Sequence, residues 1–210
     1  MREAPYDQRL ARHLIRPLAA VRVHPNAVTA MSLFLALAAA WLYATGDEAA
    51  ANWAGGLFVL ARFLDHVDGE LARLTGKTSK FGYYFDYLTG ALSFGALFLG
   101  IGIGLSAGWL EGWSIALGAA AAALAVVSAV LNVTQDRLKH LAEGEAVGYP
   151  AYGGFELEDG IYLIAPITWL GLIMPFFLAA TVGAIVYTLW TARETLRAQG
   201  PKEGRQGPSA

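Results

Sequence analysis

The sequence contains no cysteine and few charged residues. Lysine, arginine, aspartate and glutamate make up 15% of its 210 residues, whereas 56% are hydrophobic and the mean hydropathy is +0.44. The absence of cysteine excludes disulfide bonds and thiolate metal sites. The scarcity of charge excludes a long soluble domain with an ordinary polar surface, and it favours an integral membrane protein.

The apolar residues form runs that predict an all-α membrane bundle of six spans, because about 20 apolar residues cross a bilayer. The last run, from Asp159 to Trp190, is too long for one crossing and is divided at Pro175. The membrane domain is predicted at residues 1–198 and a disordered cytoplasmic tail at 199–210. The predicted spans are residues 26–46, 49–73, 81–105, 112–134, 158–175 and 176–197.

The segment before the first span is rich in arginine and has apolar residues at helical spacing. This pattern predicts an amphipathic helix on the membrane surface at residues 5–22, with a solvated basic leader as the alternative. No small-residue cleavage site follows a short apolar core, so the segment is expected to stay attached. The apolar positions are Tyr6, Leu10, Leu14 and Leu18.

The basic residues lie on one side of the predicted membrane. All fifteen fall in the N-terminal segment, around an acidic motif, after the fourth span or near the C-terminus, whereas the loops near Asp47 and Glu111 have none. Because cytoplasmic loops are enriched in lysine and arginine, both termini and the acidic motif are predicted to be cytoplasmic. We expect a cell inner or plasma membrane location and no nucleic-acid partner.

Acidic side chains interrupt the apolar sequence in "FLDHVDGELARLTGKTSKFGYYFDYLTG", residues 63–90. Asp65 and Asp68 share one helical face, and Asp86 lies near the start of the next helix. Three converging carboxylates repel one another unless a cation neutralises them, which predicts a hard divalent metal such as Mg²⁺. Any one of these aspartates alone could instead mark the water boundary.

Other residues of the same segment suit a phosphate-containing substrate. Gly69 and Gly82 allow a substrate to approach the backbone closely. The planar guanidinium of Arg73 can donate two parallel hydrogen bonds to a phosphate.

The spacing of these residues closely resembles the signature of the CDP-alcohol phosphotransferases. The stretches "DHVDGELAR" at 65–73 and "GYYFD" at 82–86 match it, and "HPNAVT" before the first span is also similar. These membrane enzymes move a phosphatidyl or related phospho-group from a CDP-linked donor to an alcohol, and they have six spans with cytoplasmic termini. The resemblance covers the N-terminal half by motif and the C-terminal half by hydropathy alone.

The resemblance implies that these three aspartates bind one or two Mg²⁺ or Mn²⁺ ions, and that Asp68 and Asp86 act in catalysis. It implies a CDP-linked lipid or CDP-alcohol donor, an alcohol acceptor, CMP as product and a role in phospholipid or related lipid synthesis. A homodimer among membrane lipids is also expected. The residues expected to line the donor site are Asn26, Thr29, Asp65, Gly69, Arg73 and Gly82.

The family pattern ends with a fourth aspartate, a metal ligand and general base, where this sequence has Gly90. Gly90 follows Asp86 by one helical turn, so the missing carboxylate would have pointed into the site. Gly90 could alternatively serve packing, because the third and fourth spans are rich in small residues. A replacement base is His66, although it is expected to face away from the aspartates, or an acidic residue before the fifth span, where a solvated loop is the alternative. Those acidic residues are Glu156, Glu158 and Asp159.

Three functions remain open at this point. The first is an active phosphotransferase with an altered site, and the second is a non-catalytic family member that binds a CDP-lipid or metal. The third is a transporter whose aspartates line a pathway. The near absence of charge in the middle of the predicted spans disfavours the transporter.

Overall fold

The computed structural model describes residue 19 and residues 22–138, 151–152 and 155–199, with only the backbone described before Gly160 in the last two segments. The predicted surface helix at 5–22 lies outside the described residues except for Ala19 and Arg22. The predicted tail lies outside them beyond Gln199.

The described part of the chain is helical, which confirms the predicted all-α class. Two strands of only two residues each, β1 (Ala151–Tyr152) and β2 (Phe155–Glu156), pair antiparallel with Tyr152 opposite Phe155. Short 3₁₀ helices cover Leu105–Ala107 and Leu157–Leu163. The α-helices are α1 (Pro25–Ala44), α2 (Glu48–Thr75), α3 (Lys80–Gly104), α4 (Gly112–Leu138), α5 (Ile164–Trp169) and α6 (Ile173–Gln199).

Four of the described helices are long and apolar enough to cross a membrane, namely α1, α3 with its 3₁₀ extension, α4 and α6. Helix α2 has 28 residues and a length of about 42 Å, but its second half carries the charged motif. Residues Gly160–Trp169 form only a short apolar helix. Several apolar helices thus support a membrane bundle, and the count of six crossings remains a proposal.

The boundary between the last two helices differs from the prediction. The break lies at Leu170–Leu172, around Gly171 with a φ of +70°, rather than at Pro175. Glycine adopts this left-handed conformation without steric cost, so it ends α5 after Trp169. Pro175 lies in the first turn of α6, where its missing N–H has no helical partner to lose.

The turn between α2 and α3 brings the two halves of the acidic motif together. Helix α2 is closed by Gly76, which has a φ of +65°. Helix α3 begins after Ser79, whose Oγ accepts a hydrogen bond from the backbone N–H of Gly82 at 3.0 Å. The connection at 76–79 therefore places the end of α2 beside the start of α3.

Glycines let α3 pack against helices on two sides. A methyl group at Gly100 would collide with the carbonyl oxygen of Ala40 in α1. On α4, a methyl group at Gly118 would lie 2.6 Å from the carbonyl oxygen of Phe98 in α3. These backbones are in direct contact, as the small residues of the third and fourth spans predict.

We expect Gly100→Ala to lower the free energy of unfolding by about 1–3 kcal/mol, because the added methyl forces α1 and α3 apart. Gly90→Ala is the matched control, since nothing lies within 4 Å of a methyl group there. That control should be neutral or stabilising by up to about 1 kcal/mol, because alanine favours a helix over glycine. Thermal unfolding in detergent measures both, and equal shifts would contradict the packing argument.

Candidate active site

Asp65, Asp68 and Asp86 lie together where α2 ends and α3 begins. One ligand oxygen from each carboxylate lies within 4.8 Å of the others. Asp65 and Asp68 project from one face of α2, and the short turn brings Asp86 opposite them. Asp68 is only 4% exposed, Asp65 is half-buried and Asp86 is exposed. The structure therefore brings the three predicted carboxylates into one cluster.

The cluster has the chemistry of a divalent-metal site. The Oδ2 atom of Asp68 is buried and has no hydrogen-bond partner among the described residues. A buried carboxylate beside two others is destabilised by desolvation and repulsion unless a cation neutralises it. Carboxylate oxygens are ligands for hard divalent ions, and oxygens on opposite sides of one ion lie about 4.2 to 5.2 Å apart. The three side chains fit such an ion.

A cavity of about 750 Å³ opens beside the cluster and has two chemically different parts. Its polar part is formed by the motif residues at the ends of α1, α2 and α3. Its apolar part lies between α3, α4 and α6. The apolar lining includes Phe94, Phe98, Leu124, Ala125, Phe176 and Ala180.

All six residues expected to bind the donor line this cavity. Thr29 is buried, and its hydroxyl donates to the carbonyl oxygen of Pro25 at 3.2 Å. A methyl group at Gly82 would be in tight contact, because it would lie 3.2 Å from both Asn26 Oδ1 and Ser79 Oγ. The start of α1 therefore contacts the start of α3 at the polar end of the cavity.

Arg73 lies at the mouth of the cavity on the last turns of α2. Its Nη2 atom donates to Glu70 Oε1 at 2.6 Å, and its side chain is 51% exposed. A methyl group at Gly69 would lie 3.6 Å from the same Nη2 atom. Because a guanidinium has five N–H donors, the pair with Glu70 leaves donors that can bind a phosphate.

Gly90 faces the cavity and is not a packing glycine. It lines the cavity beside Ala91 and Phe94, and nothing lies within 4 Å of a methyl group placed on it. The packing explanation for Gly90 is therefore wrong, because open space surrounds the position. In contrast, Gly100 and Gly118 on α3 and α4 do contact neighbouring backbones.

The sequence profile of CDP-alcohol phosphatidyltransferases matches residues 22–192, which is most of the chain. The chain belongs to the CDP-alcohol phosphatidyltransferase family. The resemblance inferred from the motif is thus confirmed, and the family match extends it into the C-terminal helices. The family is divalent-metal dependent, which agrees with the chemistry of the aspartate cluster.

Two curated relatives with different names match part of this chain. The CDP-diacylglycerol–serine O-phosphatidyltransferase of Helicobacter pylori is 38% identical over 79 residues, which is 38% of this chain and 32% of the relative. The archaetidylinositol phosphate synthase of Pyrococcus horikoshii is 34% identical over 86 residues, which is 41% of this chain and 44% of the relative. Each match therefore spans less than half the length of the relative.

Solved structures of a Mycobacterium tuberculosis phosphatidylinositol phosphate synthase share the fold. The complex with CDP-DAG superposes with a TM-score of 0.66 at 17% identity, over 96% of this chain and 99% of that one. The complex with manganese and citrate gives 0.64 at 18% identity, over 95% and 93%. The likeness shows that the CDP-alcohol phosphatidyltransferase fold extends over nearly the whole chain.

Among the candidate replacements for the fourth family aspartate, His66 is the one whose side chain is described. It lines the cavity, and the prediction that it faces away from the aspartates stays a prediction. Its Nδ1 atom and the hydroxyl of Tyr162 are 2.9 Å apart, which joins α2 to the 3₁₀ helix before α5. The acidic candidates have side chains outside the described part of the structure. They are Glu156, Glu158 and Asp159.

A hydrogen-bonded cluster that was not predicted from the sequence joins α3 to α4 beside the site. The hydroxyls of Tyr83 and Tyr87 each donate to Asp136 Oδ2 at 2.7 Å, and both tyrosines line the cavity. Asp136 is 4% exposed, although the sequence places it at the end of a span, where water is expected. The i, i+4 spacing of the tyrosines around Asp86 was the available signal.

Arg62 is a second residue of the site that was not predicted. The sequence indicated only that it is one of the basic residues that set the orientation of the chain in the membrane. It is 4% exposed, lines the cavity and forms an ion pair with Asp65, with Nη1 and Oδ2 2.9 Å apart. Its Cζ atom lies 4.9 Å from the ring centre of Phe94. The i, i+3 spacing from Arg62 to Asp65 was the signal that could have revealed this pair.

Proposed function

We propose that this protein transfers a phosphatidyl or other phospho-alcohol group from a CDP-linked donor to an alcohol, in phospholipid or related lipid synthesis. The oxygen of the acceptor hydroxyl forms a bond to the donor phosphorus that carries the donor's alcohol group. The bond between that phosphorus and the oxygen of CMP breaks, and the hydroxyl proton is released. One observation carries the proposal. The metal-type carboxylate cluster and the donor-site residues of the family motif line one cavity.

The residues of the chain have separate roles in this proposal. Asp65, Asp68 and Asp86 would hold a divalent ion, Mg²⁺ or Mn²⁺, which would supply positive charge beside the donor diphosphate. Asp68 and Asp86 are thereby the catalytic carboxylates. Asn26 and Thr29 lie at the start of α1 and would contact the nucleotide, while Gly69 and Gly82 leave the backbone accessible to it.

The apolar part of the cavity supports a lipid-linked donor. Phenylalanine and alanine side chains from α3, α4 and α6 line it, and such a surface binds acyl chains more favourably than water does. The polar and apolar parts adjoin, as a donor with a diphosphate headgroup and acyl chains requires. We therefore favour a CDP-linked lipid over a water-soluble CDP-alcohol.

The proton of the acceptor needs a group other than the missing fourth carboxylate. His66 lies on the cavity wall and is held by Tyr162, and imidazole has suitable basicity near neutral pH. Glu158 and Asp159 lie before Gly160, where side chains are not described, and they remain candidates from the sequence alone.

We further propose six crossings, with both termini and the cavity mouth on the cytoplasmic side of the inner or plasma membrane. The distribution of lysine and arginine supports this orientation. We also propose a homodimer. Only 17% of the apolar window of α4 is buried within one chain, which leaves a face available to a second copy.

The direct test measures CMP release by the purified protein with CDP-diacylglycerol and Mg²⁺ or Mn²⁺. The acceptor panel includes serine, inositol, glycerol and the phosphates of the last two. Release that depends on both metal and acceptor supports the proposal. Donor binding without CMP release from any acceptor would instead support a non-catalytic family member, which the open position at Gly90 favours as the second candidate.

We expect Arg73→Lys to raise the KM for the donor about tenfold, because an ammonium cannot give two parallel hydrogen bonds to a phosphate. Arg197→Lys is the matched control, because Arg197 pairs with Glu194 at the same i, i+3 spacing outside the cavity. Steady-state CMP release measures both variants. Equal KM values in parent and Arg73→Lys would remove Arg73 from the donor site.

A further inference from the structure

The cation Arg62 differs from the other basic residues on the cavity wall. In the part of the chain that the structure describes, Arg62 is the buried cation of the cavity, with its side chain 5% exposed. Arg73 is half exposed and paired with Glu70, and Lys77 is exposed. Water and salt screen exposed charges strongly and buried charges weakly. Arg62 therefore places a weakly screened positive charge beside the aspartates.

The charge of the described cluster suits a single divalent ion. Four carboxylates, as in the family pattern, carry the negative charge that two divalent ions neutralise. Here Gly90 removes one carboxylate, and Arg62 offsets the charge of another through its pair with Asp65. The remaining net charge of the three aspartates and Arg62 is −2, which one divalent ion neutralises.

The geometry of the cluster is compatible with the same number. The three ligand oxygens lie within 4.8 Å of one another, a separation that fits around one ion. Arg62 Nη1 lies 2.9 Å from Asp65 Oδ2, so this pair occupies one of the two oxygens of Asp65. A carboxylate can bridge two ions by giving one oxygen to each of them. The pair with Arg62 therefore hinders bridging by Asp65.

We propose that this protein binds one divalent ion per chain, and that the guanidinium of Arg62 supplies the positive charge that a second ion provides in the four-aspartate pattern. The inference rests on the proposed function, because it concerns the same carboxylate cluster. Arg62 acts through Asp65 and is thus a positioning residue. It fixes that carboxylate for one ion and limits the charge of the site.

Metal stoichiometry tests this inference without measuring turnover. The full chain in detergent is titrated with Mn²⁺, and free Mn²⁺ is measured from its electron paramagnetic resonance signal. We expect one Mn²⁺ per chain for the parent. The double variant Arg62→Gln with Gly90→Asp restores four carboxylates without the cation, and we expect it to bind two Mn²⁺ ions with magnetic coupling between them.

The matched control is Arg62→Lys with Gly90→Asp, which has the same carboxylates but keeps the positive charge. Its second Mn²⁺ should bind at least about tenfold more weakly than in the glutamine variant. Two tight ions in the parent, or a single ion in a folded glutamine double variant, would overturn the inference. If the double variants fail to give a melting transition, two tight ions in the parent still overturn the inference.

The experiment separates this inference from the proposed function. Two ions in a parent protein that releases CMP would reject the role of Arg62 and leave the phosphotransferase intact. Absence of Mn²⁺ binding by the parent, with and without CDP-diacylglycerol, would reject the metal assignment of the aspartates and the inference together.

Discussion

Asp68→Asn is expected to reduce CMP release by about a hundredfold or more while raising the melting temperature of the metal-free protein. The loss follows because a divalent ion contributes several kcal/mol to such a reaction, and about 1.4 kcal/mol corresponds to tenfold in rate. Mn²⁺ affinity should fall at least about tenfold, since a neutral amide replaces one of three carboxylates.

The gain in stability has a separate physical cause. Asp68 is buried, its Oδ2 atom has no described partner, and two other carboxylates lie nearby. Without a metal ion, removing that charge relieves both desolvation and repulsion. With saturating Mn²⁺ the order should reverse, because the ion stabilises the folded parent through binding.

Asp47→Asn is the matched control for this experiment. Asp47 caps the other end of α2, where its Oδ1 accepts from the backbone N–H of Ala50 at 2.7 Å, and asparagine caps a helix equally well. This variant should retain parental metal affinity, activity and melting temperature. A parental Mn²⁺ affinity in Asp68→Asn would place the metal site elsewhere.

The parts of the structure that local spacing controls were predictable from sequence. Asp65 and Asp68 share a helical face by their separation alone, and a short loop brings Asp86 next to them. The residues that line the polar part of the cavity, including Asn26 and Thr29, followed from the family motif. Their positions require only the first three helices, which the apolar runs also indicated.

The parts that depend on distant contacts were not predictable. The pair between Asn132 and Tyr187 joins α4 to α6, with the amide nitrogen 3.1 Å from the hydroxyl, and both residues line the cavity. In the sequence these residues lie in apolar runs that give only hydropathy. The contact of His66 with Tyr162 was not predictable for a similar reason, because Tyr162 comes from a segment far along the chain.

The break before α6 shows that the conformational preference of a single residue does not locate the boundary between two helices. Proline disrupts the interior of a helix, but it is well accommodated in the first turn. Glycine is the residue that allows the chain to turn where a positive φ is needed. Both Gly171 and Pro175 occur in this run, and the choice between them depends on the packing of α5 and α6.

Gly90→Asp is expected to raise the rate of CMP release by about a hundredfold to ten-thousandfold, the range that a positioned general base contributes. The structure makes this substitution sterically feasible, since a side chain at Gly90 enters the cavity and meets nothing within 4 Å at its first carbon. The new carboxylate lies one helical turn after Asp86 and adds a ligand, so Mn²⁺ affinity should also increase.

Gly90→Asn separates the chemistry of the carboxylate from its shape, because the amide is nearly isosteric but neutral and only weakly basic. We expect the asparagine variant to have parental CMP release and metal affinity, and both variants to melt within a few degrees of the parent. CMP release is measured with the same CDP-linked donor and acceptor panel throughout. If Gly90→Asp binds metal more tightly but releases CMP no faster, a missing base does not limit the parent. In that case either the proton leaves through another group or the protein binds its donor without turnover. His66, on the same cavity wall, is the first residue to substitute in a search for that group.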